Sequence, residues 1–168
     1  FPENLGKRVF LQFDGAGHIA TLYVNGREAA SHRCGYTAFR AEVTALLRPG
    51  ENRIAVKLDT TENPAVPPFG FVIDYLCYGG LYRDVELEVR NSTYIKNVLI
   101  ENTGLRDISV SIDTAGKLKV GKLVADIFDA DGKVAASAMG AKFKLTVPDG
   151  KLWSPDNPYL YTLKAKIV

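Results

Sequence analysis

The sequence predicts an all-β protein made of two consecutive β-sandwiches. First, short segments rich in β-branched and aromatic residues recur along the chain between turn residues, as in residues 8–13 (RVFLQF) and 19–24 (IATLYV). Second, Asn25-Gly26 follows the second of these segments, and this dipeptide tolerates positive φ at both central positions of a type I′ turn. Third, the texture changes after Asn91-Ser92 to shorter strands at regular spacing, which places a domain boundary there and gives domains 1–91 and 92–168.

In the first half, the Asn25-Gly26 turn closes a hairpin between Tyr23-Val24 and the segment that starts at Arg27. Residues 42–47 suit a short helical turn, stopped by the Pro49-Gly50 bend. Residues 53–58 resume as strand with Ile54, Val56 and Leu58 on one face, and 82–90 form the last strand. Between Asp59 and Gly80 there is no clean alternation, and Pro64, Pro67 and Pro68 keep the segment out of a central ladder. A connection that long in a compact domain is either disordered or functional, and its aromatic density argues against disorder.

In the second half, strands are expected at 94–100, 108–112, 123–128, 134–137, 143–147 and 159–168, with a hairpin turn at residues 129–132 (DADG). Such a series within one small domain predicts an immunoglobulin-like sandwich, although no cysteine pair accompanies it.

The formal charge of +2 leaves no broad field for nucleic acid or anionic membrane, and the lysines of the second half suit a solvated surface. No apolar run is long enough to cross a bilayer, and the first residues lack the pattern of a signal peptide. The absence of an initiator methionine predicts a piece of a longer protein. Cys34 and Cys77 stand far apart and form neither a disulfide framework nor a zinc spacing with His18 and His32, so no metal or cofactor is expected and a cytoplasmic setting is favoured.

Chemistry has few places to sit. Asp84, Glu86 and Glu88 alternate with Val85, Leu87 and Val89, and two such carboxylates have the separation of an inverting glycosidase pair; an outer, solvated strand face explains them more simply. No nucleophile elbow and no phosphate-cradling loop is present. The segment before the last strand of the first half stands out: Phe69, Phe71, Tyr75, Tyr78 and Tyr82 surround Asp74, the one carboxylate between Glu62 and Asp84. Aromatic rings stack on the apolar face of a sugar while a carboxylate accepts bonds from its hydroxyls. The residue pattern equally allows rings that fill the sandwich and an acid that caps a turn.

VFLQFDG (Val9 to Gly15), LYVNG (Leu22 to Gly26), CGYTAF (Cys34 to Phe39), PGEN (Pro49 to Asn52), GGLYRDV (Gly79 to Val85) and LWSPDNPYLYTL (Leu152 to Leu163) occur in an order and spacing that resemble the amino-terminal part of glycoside hydrolase family 2, in the pattern of its bacterial β-galactosidases. The resemblance covers nearly the whole chain. It implies a jelly-roll, galactose-binding-domain-like sandwich that lacks its first strands, followed by an immunoglobulin-like sandwich. Both would precede a (β/α)₈ barrel that carries a retaining mechanism with two glutamates. The family's acid/base follows an asparagine, and no Asn-Glu dipeptide occurs here, so this part is expected to hold no catalytic residue and to be inactive alone.

By the same resemblance, Asp74 is the substrate-binding acid that reaches into the barrel's pocket, with Tyr75 and Tyr78 at its rim. The implied partners are a β-galactoside or related sugar and the catalytic barrel of the same chain, with a homo-oligomeric parent left open. Cys34 departs from the family's usual glycine. The alternatives are a parent β-glucuronidase or β-mannosidase, a free-standing carbohydrate-binding module, and a structural spacer.

Overall fold

A computed structural model describes residues 6–69, 77–118 and 122–168. The chain divides into two compact units, Phe1–Asn91 and Ser92–Val168. Both are all-β sandwiches.

Unit 1 contains β1 (Lys7–Phe13), β2 (Ala16–Gly17), β3 (Ile19–Val24), β4 (Arg27–Arg33), β5 (Phe39–Glu42), β6 (Ile54–Asp59), β7 (Gly80–Leu81) and β8 (Val85–Asn91), with a 3₁₀ turn at Thr44–Leu46. Two antiparallel three-stranded sheets, ordered β5-β1-β8 and β4-β3-β6, hold Val9, Leu11, Phe13, Leu22, Val24, Ala41 and Val43 in one buried cluster. Alternation explains the division: on β3, Ala20, Leu22 and Val24 are fully buried while the residues between them are only partly so. The expected turn is present, with Asn25 at φ 51° and Gly26 at φ 82° and Val24 paired with Arg27. A register shift between Leu22 and Tyr23 then places Leu22 opposite Ala30. Strand β5, which the sequence analysis did not foresee, pairs Phe39 with Phe13 and Ala41 with Leu11. The last strand begins at Val85 rather than Tyr82, because Gly80-Leu81 pair with β2 instead.

The apolar face of β8 is half-open. Val85, Leu87 and Val89 share a face with the buried Phe13, Leu11 and Val9 that they pair with, yet they remain 45%, 50% and 47% exposed. Strand β8 ends the sheet, and its apolar side projects past the core cluster rather than into it.

Unit 2 contains β9 (Tyr94–Asn102), β10 (Asp107–Ala115), β11 (Leu123–Phe128), β12 (Val134–Met139), β13 (Lys142–Thr146) and β14 (Thr162–Ile167). Sheets ordered β13-β10-β9 and β12-β11-β14 enclose Val110, Ile112, Leu123 and Ala125, packed against Ile95, Val98, Phe143 and Leu163. All six expected strands are present. The hairpin at 129–132 is held by Asp129, whose Oδ1 accepts the amides of Asp131 (3.1 Å) and Lys133 (2.8 Å). Strand β14 starts at Thr162 rather than at residue 159, because the preceding tyrosines are tied elsewhere: Tyr159 Oη accepts the Ala130 amide and Tyr161 Oη the Lys151 amide.

Candidate functional site

The aromatic segment of unit 1 rises from β6 and returns through β7, and both limbs are fastened to the same corner of the sandwich. On the rising limb, Asn63 turns the chain by accepting the Ala65 amide on its side chain (2.8 Å) and the Val66 amide on its carbonyl (3.1 Å). Val66 is then 1% exposed, and the Pro67 carbonyl accepts the Gly35 amide at 2.7 Å. On the returning limb, Gly80 pairs with Gly17 and Leu81 with Ala16. Gly80 sits at φ 93°, where a side chain would be strained, so the glycine allows the chain to turn into the ladder. Gly17 meets a second constraint, since a Cβ there would lie 2.6 Å from the Tyr78 carbonyl oxygen.

Tyr82 and Arg83 close the corner. The Tyr82 hydroxyl donates to the Gly35 carbonyl, and Arg83 Nη1 donates to the carbonyls of Tyr36 (3.1 Å) and Asp14 (3.3 Å) while its guanidinium lies 5.1 Å above the Tyr82 ring. Tyr82 therefore anchors the returning limb. Tyr78 differs: it is 79% exposed, with its ring 6.5 Å from that of Tyr82. Of the three residues singled out for sugar contact, Tyr78 is thus placed at the surface on an anchored base. Asp74 and Tyr75 lie outside the described residues.

His18 enters from the same corner. It is 2% exposed, its amide donates to the Asp59 carbonyl at 2.9 Å, and its Nδ1 has no hydrogen-bond partner. Beside Gly35, burial pushes the Cys34 thiol up, but bonds from the Thr37 hydroxyl and the Tyr36 and Thr37 backbone outweigh it and hold the thiol below its ordinary value. His32 Nε2 is within 2.9 Å of Thr37 Oγ1, and its ring stacks on Phe39. Among the described residues no three His, Cys, Asp or Glu side chains converge as a metal site would require.

Glu88 of β8 sits in an ion-pair network. Glu88 Oε1 accepts Arg90 Nε at 2.6 Å and Glu88 Oε2 accepts Arg40 Nη1 at 3.1 Å. The bond from Arg90, with the charges of Arg90 and Arg40, holds the Glu88 carboxyl below its ordinary 4.5. A general acid needs the opposite shift. Because the folded value is depressed, the stabilisation is complete above 4.5 and is lost as pH falls through the folded value. Glu88→Gln is therefore expected to lower the melting temperature at neutral pH, where the ion pairs are fully formed, and to converge with the wild type as pH falls below 4.5.

Residues 3–90 match the family model described as "Glycosyl hydrolases family 2, sugar binding domain", and residues 83–168 match the model "Glycosyl hydrolases family 2". The chain belongs to glycosyl hydrolase family 2. Family 2 relatives include a β-galactosidase of Thermoanaerobacter pseudethanolicus, 34% identical over 97% of this chain and 24% of its own length. A β-glucuronidase of Felis catus is 28% identical over 99% of the chain and 30% of its own length. Among solved family 2 structures, the FMN-binding β-glucuronidase of Facaelibacterium prausnitzii L2-6 superposes with a TM-score of 0.83 at 29% identity, covering 99% of this chain and 28% of that one. The chain thus spans about a quarter of the length of the family 2 relatives it matches.

The corner built by Gly17, Gly35, Tyr82 and Arg83 lies within the segment matched by the sugar-binding model. Gly35 and Arg83 lie in the motifs CGYTAF and GGLYRDV, but the sequence assigned a role to neither, and Gly17 stood out in no motif. The Tyr82-Arg83 pair, one residue after Gly79-Gly80, was the available signal for Arg83.

Proposed function

We propose that this chain forms one wall of the sugar pocket of a β-galactosidase-like glycosidase, with Asp74 as the carboxylate that meets the sugar and Tyr75 and Tyr78 beside it. The similarity to a β-galactosidase along 97% of the chain carries this reading. The anchored limbs support it, since a ligand-facing loop needs a rigid base. Bond cleavage is assigned to a catalytic domain outside these two units: retaining hydrolysis needs two carboxylates about 5–5.5 Å apart, and the carboxylates of β8 are committed to arginines or lie on an open strand face. No cofactor is required of this chain, and the cytoplasm is the compartment that two cysteines without a disulfide framework favour.

A hydrogen bond from a sugar hydroxyl to a carboxylate contributes about 1.5–3 kcal/mol. Asp74→Ala in the full-length enzyme is expected to lower kcat/KM on an aryl β-galactoside by about ten- to a hundred-fold. Unchanged kinetics would remove Asp74 from the pocket. A β-glucuronidase is the second reading, favoured by the TM-score of 0.83 to an enzyme of that name. Parallel assays on aryl β-galactoside and aryl β-glucuronide separate the two.

A further inference from the structure

The corner of unit 1 presents a second exposed tyrosine, Tyr36, which is 43% exposed on a backbone held by three hydrogen bonds. The Gly35 amide donates to the Pro67 carbonyl at 2.7 Å, the Gly35 carbonyl accepts the Tyr82 hydroxyl, and the Tyr36 carbonyl accepts Arg83 Nη1 at 3.1 Å. Packing reinforces these bonds, since Gly35 is buried and a Cβ there would lie 2.6 Å from Pro68 Cδ and 3.5 Å from Gly17 Cα. The strip is wedged between the rising limb and β2. A single exposed apolar residue on a protein surface needs no explanation. A tyrosine carried on a fixed backbone differs, because only its side-chain torsions remain to be ordered when a ligand arrives.

Tyr82 sets the distance between Tyr36 and Tyr78. Its ring stacks with that of Tyr78 at a centroid separation of 6.5 Å, and its hydroxyl, at the far end of the same side chain, bonds the carbonyl of the residue before Tyr36. The two exposed tyrosines thus belong to one rigid frame, spaced by the length of one aromatic side chain. One sugar ring against Tyr78 leaves Tyr36 uncovered, whereas a ligand of two joined rings spans such a frame. Tyrosine suits that contact, with an apolar face for stacking and a polar tip that stays wet. In a β-glycoside whose sugar lies beside Tyr78, the second ring is that of the leaving group.

We propose that Tyr36 is a further substrate-contact residue, stacking on the ring of the leaving group, a second pyranose or an aryl ring, and so favouring ring-bearing glycosides. This rests on the sugar-pocket reading of the same corner and adds to it the side of the substrate beyond the scissile bond. The segment that carries Tyr36 lies within the match to the sugar-binding model.

The test uses the full-length enzyme as wild type, Tyr36→Ala, Tyr36→Leu and Tyr36→Phe. Each is assayed on an aryl β-glycoside, a disaccharide and the methyl β-glycoside of whichever sugar the wild type cleaves. The readout is the ratio of kcat/KM on a ring-bearing substrate to kcat/KM on the methyl glycoside, which a general disturbance of the corner leaves unchanged. Tyr36→Ala is expected to lower that ratio by about three- to ten-fold, the loss of one aromatic stacking partner, and Tyr36→Phe to keep it. Tyr36→Leu preserves bulk without the flat face, so it should lower the ratio too and decides the matter if the alanine variant does not fold. A fall with the aryl substrate alone or with the disaccharide alone supports the contact and tells which ring it takes. An unchanged ratio in the alanine and leucine variants would overturn the proposal, and so would a phenylalanine variant as poor as alanine, which would replace stacking by a hydroxyl bond. A wild type that cleaves β-glucuronides and not β-galactosides would refute the galactoside reading, while the ratio would still decide Tyr36.

Discussion

Phe13→Ala is expected to destabilise unit 1 by about 3–5 kcal/mol, the range for removing a buried aromatic ring. Phe13 is 1% exposed and stacks on Phe39 at 4.8 Å with ring planes 6° apart. The hole cannot close easily. Phe13 stands in the central strand of its sheet, paired with Phe39 on one side and Val85 on the other, so both neighbouring backbones are fixed by ladder hydrogen bonds. The stacked pair adds about 0.5–1.5 kcal/mol that leaves with the ring. Because domains hold only about 5–15 kcal/mol in total, the variant should unfold at markedly lower urea concentration. Val89→Ala supplies the contrast: it lies on the same face but is 47% exposed, and should cost less than about 1 kcal/mol. Equal losses from the two substitutions would mean that β8 is covered in the folded protein and that the core extends over it.

The difference between Phe13 and Val89 also marks how far the sequence could be read. Elements specified by adjacent residues were legible, because their causes are local: the Asn25-Gly26 turn fixes the β3–β4 hairpin, and the alternation of Leu123, Ala125 and Ile127 with Val124, Asp126 and Phe128 fixes the faces of β11. Elements specified by distant partners were not. Strand β5 is four residues with one large apolar side chain, and β2 and β7 are two residues each, so their pairing comes from contacts far along the chain. The same holds for exposure. Alternation told which side of β8 is apolar, but only its place at the end of a sheet leaves that side half-open. At the candidate site, an unusual density of aromatic residues drew attention to the segment around Asp74, and the family resemblance singled out Tyr78 within it. The constraints on Gly17 and Gly35 were silent, because they are set by the Tyr78 carbonyl and the Pro68 ring, neither of which is near in sequence.

Gly17→Ala is the second large effect, and it joins fold to function. Gly17 is buried, and a methyl group there would sit 2.6 Å from the Tyr78 carbonyl oxygen, a backbone atom that moves only if its whole segment moves. Overpacking of this kind costs about 1–3 kcal/mol, and the upper end is expected because two ladder pairs, Gly17 with Gly80 and Ala16 with Leu81, are displaced together. Gly26→Ala is the matched comparison: it meets no atom within 4 Å but has φ 82°, so it loses about 1–2 kcal/mol through backbone strain alone. Both variants should melt earlier in circular dichroism. Only Gly17→Ala shifts the base from which Tyr78 is presented, so on the proposed function it should also raise KM for an aryl β-galactoside in the full-length enzyme, whereas Gly26→Ala, at the β3–β4 turn, should not. If Gly17→Ala melted early yet kept the wild-type KM, the corner would be scaffolding alone, and the aromatic segment would have to owe its position to contacts made outside unit 1.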